Sequence, residues 1–84
     1  MATLVGTYLK LKREEASLSQ AKLAHKLGLK SAQSISNIER GVSPFPANFI
    51  NPISHALKVD PRSFVEAMLM DCKLKLEQEA GIKT

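Results

Sequence analysis

The sequence predicts an all-α fold of five helices in one domain spanning residues 1–84. Apolar residues recur at helical spacing, and residues that begin or end helices divide the chain into five segments. No stretch alternates apolar and polar residues with the β-branched content of a strand. With 44% hydrophobic residues, a chain of this length can build one core, which we expect within residues 3–69.

The helix boundaries follow from capping residues and glycines. Gly28 and Gly41 can adopt the left-handed conformation that ends a helix. Pro52 should lie in the first turn of the fourth helix or leave a kink, because it removes a backbone donor. Residues that cap free amides precede four of the five segments: Thr3, Ser19, Ser31 and Asp60. The expected helices span 3–16, 20–27, 32–39, 47–58 and 61–80.

The second and third segments form a recognisable unit. Only four residues, from Gly28 to Ser31, separate them. Ile35 and Ile38 lie three residues apart and should both face the core. Two short helices joined by a tight turn that contains glycine are typical of a helix-turn-helix.

The outward face of the third segment has an unusual composition. It carries short amides and hydroxyls and has no carboxylate before Glu39, whereas ordinary solvent-exposed faces are rich in Glu and Lys. Asn and Gln can pair with adenine through two hydrogen bonds, Ser can donate or accept, and Ala can pack on a thymine methyl. This composition favours a surface that reads double-stranded DNA over an ordinary solvent-exposed polar face. The outward residues are Ala32, Gln33, Ser34, Ser36, Asn37 and Arg40.

The charge distribution is compatible with that interpretation. Residues 1–58 hold eight Lys or Arg and three Asp or Glu, a net charge of +5, whereas residues 59–84 hold four and five, a net charge of −1. A basic front half favours attraction to phosphates. Many soluble domains are mildly basic, so this observation is secondary.

Other classes of function lack their signatures. No apolar run approaches the ~18 residues of a membrane span, and no positive charge precedes the apolar N-terminal residues as in a signal peptide. Cys72 is the single cysteine, which excludes an intrachain disulfide, and we expect it to be packed and unreactive. His25 and His55 have no metal ligands at suitable spacing. We therefore expect a cytoplasmic protein with no cofactor, metal site or enzymatic activity.

Two stretches of sequence resemble the phage-repressor-like (Cro/XRE) helix-turn-helix family. They are Leu18-Ser-Gln-Ala-Lys-Leu-Ala-His-Lys-Leu-Gly28 and Ser34-Ile-Ser-Asn-Ile-Glu-Arg-Gly41, and the similarity continues at Ala56-Leu-Lys-Val59. Arg13 also lies at the family's usual distance before Gln20. The resemblance covers roughly residues 4–69 and implies a lambda-repressor-like DNA-binding domain.

The resemblance also implies roles for individual residues. Gln20 would touch a phosphate and brace the third helix. Arg13 and Glu39 would form a buried ion pair that ties the first helix to the recognition helix, so that Glu39 does not face DNA. Ala32, Gln33, Ser34 and Asn37 would face base edges.

This sequence departs from the family pattern at two places. One extra residue near Leu29-Lys30 lengthens the turn. The loop at 42–46 lacks the Lys or Arg that often contacts phosphates, so backbone amides, Lys30, Arg40 or Asn48 would supply those contacts with modest affinity. The candidate DNA-contacting residues are Gln20, Lys30, Ser31, Ala32, Gln33, Ser34, Ser36, Asn37 and Arg40.

The fifth segment has more apolar surface than a small core can cover. Each residue of a helix is rotated by 100° from the one before it. By this rotation Ala67, Met70 and Leu74 form one apolar stripe, which is separate from a second, broader apolar face. Because half-site readers usually work as two-fold dimers, we expect Met70 and Leu74 to form a homodimer contact. The alternative is a solvated helix with scattered apolar residues. The broader face carries Phe64, Val65, Met68, Leu69, Cys72 and Leu76.

The sequence thus predicts a sequence-specific, DNA-binding transcriptional regulator. One alternative is the antitoxin-type half of a two-protein system that also binds its operator. Another is a protein-interaction module that uses the same fold without reading DNA, which the loop without basic residues and the apolar stripe would favour. That alternative implies a protein partner.

Overall fold

The computed structural model describes residues 3–82, which form five α-helices and no strand. The five-helix, all-α prediction is confirmed, and α2 and α3 form the helix-turn-helix. A short 3-10 turn, Ala47–Phe49, precedes α4. The helices are α1 (Leu4–Glu15), α2 (Gln20–Lys26), α3 (Gln33–Glu39), α4 (Ile50–Leu57) and α5 (Pro61–Glu79).

Three of the predicted helix caps are present. The Thr3 hydroxyl accepts a hydrogen bond from the Gly6 amide at 3.0 Å, and the Ser19 hydroxyl accepts one from the Lys22 amide at 3.1 Å. The Asp60 carboxylate accepts one from the amide of Arg62 at 2.9 Å. Each satisfies an amide that has no partner within its own helix.

The start of α3 differs from the prediction by one residue. The helix begins at Gln33, and Ala32 occupies the capping position without a side-chain hydrogen bond. The Ser31 hydroxyl nevertheless accepts a hydrogen bond from the Gln33 amide at 3.3 Å. The longer turn is accommodated because Gly28 is left-handed, with φ +74°, and because Leu29 packs against the core. Leu29 therefore anchors the turn to the core.

The fourth helix also begins later than expected. The prediction placed its start at Ala47, but residues 47–49 form a 3-10 turn and the α-helix begins at Ile50. Pro52 explains the difference, because its ring would clash with the carbonyl of Asn48 if the α-helix began earlier. Pro52 therefore lies in the first turn of α4, as predicted.

The core draws one fully buried side chain from each helix. The ring of Phe64 lies at its centre, 5.1 Å from the ring of Tyr8 in an edge-on arrangement and 5.2 Å from the stacked ring of Phe45. Phe45 belongs to the loop after α3, so this loop is attached to the core. The five fully buried side chains are Leu9, Leu23, Ile35, Ile53 and Phe64.

The rotation of α5 about its axis was not predicted. Asp71 accepts hydrogen bonds from the amides of Leu4 and Val5, at 2.7 and 3.0 Å, and so turns toward α1. Phe64, Ala67 and Met68 share that side of the helix and pack on the core. The broader apolar face therefore points largely to solvent, and Ala67 belongs to the core instead of the stripe. Cys72 is exposed, so the expectation that it is packed is wrong. The other exposed members of that face are Val65, Leu69 and Leu76.

Candidate nucleic-acid interface

The recognition helix α3 is fixed by two buried isoleucines. Ile35 and Ile38 lie in the core, as their spacing predicts, and turn the opposite side of α3 outward. On that outward side Gln33, Ser34 and Arg40 are exposed. Ala32, Ser36 and Asn37 are half-buried and lie along its edges. The helix therefore presents a polar surface to solvent.

Three polar side chains, two on α3 and one on the residue that follows it, form a hydrogen-bonded row. Gln33 Nε2 donates to Asn37 Oδ1 at 2.9 Å, and a terminal guanidinium nitrogen of Arg40 donates to the same oxygen at 2.9 Å. These residues lie four and three positions apart, which places them on one side of a helix. The row restricts the side-chain conformation of the exposed Gln33 before any ligand binds.

A second network lies beneath α3 and is buried. Arg13 Nε and a terminal nitrogen of Arg13 donate to the two Glu39 carboxylate oxygens at 2.7 and 3.1 Å. Gln20 Nε2 donates to Glu39 Oε1 at 3.0 Å, so Gln20 also contacts α3. The remaining terminal nitrogen of Arg13 donates to the Leu18 carbonyl at 2.8 Å. One carboxylate thus connects α1, α2 and α3.

The electrostatics of this network favour the ion pair. Its hydrogen bond to Glu39 raises the pKa of Arg13; burial opposes this rise, while the charges of Glu39 and Glu14 add to it. Because the pKa of Arg13 is raised in the folded protein, the ion pair stabilises the fold at every pH below the ordinary arginine range. This stabilisation is lost only when the pH rises above that range. Arg13 therefore contributes no pH dependence near neutrality, and its charge offsets that of Glu39.

A close contact between α1 and the end of α3 adds to this connection. A Cβ atom on Gly6 would lie 2.5 Å from the Ile38 carbonyl oxygen and 2.8 Å from that of Glu39. Both distances are too short for a carbon atom, and both involve backbone. Gly6 therefore allows α1 to approach α3 at a separation that no other residue would permit.

The remaining candidate residues surround α3. Lys30 and Ser31 are exposed in the turn before it, and Asn48 is exposed on the 3-10 turn. His25 is exposed on α2. Met70 and Leu74 lie on α5, outside this surface.

Sequence reasoning missed two residues that position α1: Gly6, which lies against α3, and Asp71, which binds the start of α1 from α5. Gly6 had a signal, because glycine inside a predicted helix weakens it and so often marks a close approach. Asp71 had no comparable signal, since an acidic residue in a long helix is usually solvated.

Residues 3–82 contain neither a candidate metal site nor a candidate membrane span. Residues 3–82 contain no group of three or more His, Cys, Asp or Glu that could hold a metal ion. Within that range no helix is both long and apolar enough to cross a membrane.

Solved structures of known proteins have folds similar to this one. The chain aligns with SinR, the master regulator for biofilm formation, solved in complex with DNA: 29% identity, TM-score 0.65, 73% of this chain and 97% of SinR. It aligns with C.AhdI, a restriction-modification controller protein from Aeromonas hydrophila, at 29% identity and TM-score 0.67, over 74% and 92% of the two chains. ClgR, the clp gene regulator of Corynebacterium glutamicum, shares the fold at 21% identity and TM-score 0.69, over 92% and 81%. Among curated proteins, none matches the sequence significantly.

The family comparison agrees with the geometry. The family model described as Helix-turn-helix matches residues 9–64, two thirds of the chain. The match includes α2, α3 and the buried Arg13–Glu39 pair. The chain belongs to the Cro/XRE-type helix-turn-helix family.

Proposed function

We propose that this protein is a sequence-specific transcriptional regulator that inserts α3 into the major groove of double-stranded DNA. The observation that carries the proposal is the outward face of α3. It has amides and hydroxyls at base-reading positions, and the carboxylate of Glu39 is withdrawn from it by Arg13. A free carboxylate there would repel the DNA phosphates.

The hydrogen-bonded row supports a specific division of labour. Asn37 Oδ1 already accepts two hydrogen bonds, so Asn37 supports the row and retains its amide N–H groups for a base. Gln33 is exposed and keeps its carbonyl oxygen free to accept from a base edge. We therefore assign Gln33 as the principal reader, with Ala32, Ser34 and Asn37 beside it.

The structural neighbours support the functional class. SinR is described in complex with DNA, and C.AhdI is described as a controller protein. These descriptions, together with the helix-turn-helix family match, support a DNA-binding transcription regulator, and we propose no enzymatic activity. A DNA target inside the cell also favours a cytoplasmic location.

A gel-shift series tests DNA binding. Purified protein would be mixed with genomic fragments of the source organism at several salt concentrations. We expect a subset of fragments to shift first and to stay bound at higher salt than the rest. Weak binding without fragment preference at low salt would contradict the proposal and favour a protein-interaction module, or an antitoxin-type protein whose partner is another chain.

The Gln33→Ala variant tests the assignment of the reader. We expect it to cost roughly 1–3 kcal/mol of binding free energy and to relax preference at one base position, because one hydrogen-bonded base contact is lost. Fluorescence anisotropy on the preferred fragment and its single-base variants measures both effects. Gln78→Ala removes an exposed glutamine from α5 and is the matched control. An unchanged base preference would remove Gln33 from the reading surface.

We also propose that the protein binds as a homodimer through Met70 and Leu74 of α5. These side chains are 45% and 38% exposed and lie one helical turn apart. A two-fold dimer would place two recognition helices on half-sites about 34 Å apart. The contact would cover apolar surface that the core leaves open.

Sedimentation of charged variants tests this dimer. The parent protein should sediment as a dimer at tens of micromolar, and the double variant Met70→Glu, Leu74→Glu should sediment as a monomer, because two carboxylates would lie in an apolar contact. The matched control Leu69→Glu, Leu76→Glu charges the other exposed apolar face of α5 and should remain dimeric. A monomeric parent, or dissociation of the control alone, would contradict the assignment.

A further inference from the structure

We propose that a cleft between α1 and α3 holds a phosphate of the DNA backbone, with Lys10 and Arg40 as its cationic contacts. The proposal rests on the proposed DNA binding and deepens it, because it gives α1 a direct contact with the nucleic acid. None of the sequence patterns pointed to Lys10.

Residues of three helices line the cleft. Its volume is about 580 Å³, and it borders the end of α3 that follows the reading residues. Gln20 and Arg40, two candidate DNA-contacting residues, are part of its wall, so the cleft is continuous with the proposed reading surface. It is lined by Thr7 and Lys10 of α1, by Gln20 of α2, and by Ser36, Glu39 and Arg40, at the end of α3.

The charge of this cleft suits an anion. Within residues 3–82, Lys10 is exposed and has no ion-pair partner, and the Arg40 side chain bonds only to the uncharged amide of Asn37. Glu39 is the single acid in the lining, and its oxygens are occupied by Arg13 and Gln20. Two cations therefore face the cleft without a competing free carboxylate, while Ser36 adds a hydroxyl.

The cleft also offers basic residues that the loop after α3 lacks. The loop at 42–46 has no basic residue, and its Phe45 is buried against Phe64, so this loop contributes structure to the core. A backbone contact made by α1 and the end of α3 would supply the attraction that the loop lacks. Such contacts set orientation on the duplex and carry no sequence information.

Salt dependence of binding tests the cleft. Anisotropy would follow a labelled, mixed-sequence duplex of ~30 base pairs, long enough for two half-sites one turn apart, with the parent protein, Lys10→Gln, Arg40→Gln and the double variant. Lys75→Gln, on an exposed part of α5 outside the cleft and the Met70–Leu74 stripe, controls for the loss of one charge. Melting curves check that each variant is folded.

We expect each cleft variant to reduce the slope of log K against log salt by about 1 more than Lys75→Gln does, and the double variant by about 2. Affinity should fall about tenfold per variant, as for a lost charge-assisted hydrogen bond. For Lys10→Gln the loss should be equal for every sequence, because Lys10 lies outside the hydrogen-bonded row of Gln33, Asn37 and Arg40. Lys10→Arg should keep the parental slope, because it keeps the charge.

The outcomes separate this inference from the proposed function. If the parent protein binds DNA and the cleft variants match Lys75→Gln, the cleft is not a phosphate site, although DNA binding stands. If the parent protein binds no duplex even at low salt, both proposals are overturned. If Lys10→Gln changes the base preference along with the slope, Lys10 contacts bases, and the assignment to phosphate is wrong.

Discussion

Glu39→Gln should lower the free energy of unfolding by about 3 kcal/mol, the low end of the range for breaking a buried ion pair. The variant keeps the shape of the side chain but leaves the buried Arg13 guanidinium without a counter-charge. It also weakens the hydrogen bond that Gln20 donates. Because the network connects α1, α2 and α3, the loss should affect the orientation of the recognition helix as well as stability.

A double-mutant cycle measures the interaction directly. Arg13→Met should cost a similar amount, because it leaves the Glu39 carboxylate buried with one neutral donor. The double variant Arg13→Met, Glu39→Gln should be more stable than the sum of the single losses predicts, since no unpaired buried charge remains. Urea unfolding gives the three values, with Glu66→Gln on the exposed surface of α5 as the control for charge loss. Additive losses would mean that the pair is not coupled.

Gly6→Ala should also destabilise the protein, by about 2 kcal/mol, as expected for overpacking against rigid backbone. The new methyl group would meet the carbonyl oxygens of Ile38 and Glu39 and the hydroxyl of Thr3. The usual gain of up to ~1 kcal/mol from replacing a helical glycine with alanine is smaller than this cost. Helix α1 would have to move away from α3, and the buried ion pair would lengthen.

Thermal and urea unfolding test the Gly6 prediction. Leu11→Ala changes an exposed side chain of the same helix and should alter stability by about 0.5 kcal/mol or less. DNA affinity of Gly6→Ala should fall as well, although Gly6 does not lie on the reading surface. An increase in stability would show that α1 and α3 can separate without cost.

Much of the fold follows from local signals in the sequence. Thr3, Ser19 and Asp60 begin helices because their side chains accept hydrogen bonds from nearby amides, an interaction that needs no knowledge of tertiary structure. Ile35 and Ile38 face the core because helical spacing places them on one side. These signals located the helix-turn-helix and the residues on its outward surface.

The exact starts of α3 and α4 depended on less local effects. Leu29 packs against the core within the turn, and α3 begins at Gln33 after it, a packing contact that local signals do not reveal. Pro52 moved the start of α4 because of a clash with a carbonyl four residues earlier. The second effect could have been deduced from the sequence.

The orientation of α5 could not be deduced in this way. A narrow apolar stripe and a broader apolar face compete for the core, and helical periodicity does not choose between them. The choice is made by Asp71, which accepts hydrogen bonds from the start of α1, 66 and 67 residues away in sequence. That contact leaves Cys72 exposed.

Positions in the interface show the same division. The resemblance to the Cro/XRE family implied the Arg13–Glu39 contact, and both residues indeed form an ion pair. Lys10 carries no motif, and its importance emerges only when α1, α2 and α3 assemble around a common cleft. Tertiary contacts thus add phosphate-binding candidates that a scan of single helices does not reveal.

Selection from a pool of randomised duplexes tests the central claim most directly, because it asks whether α3 reads sequence. We expect the parent protein to enrich one motif whose half-sites repeat about 10 base pairs apart. The same selection with Gln33→Ala should relax the motif at one position in each half-site. A pool that remains random after repeated rounds, while low-salt binding persists, would contradict sequence reading by α3.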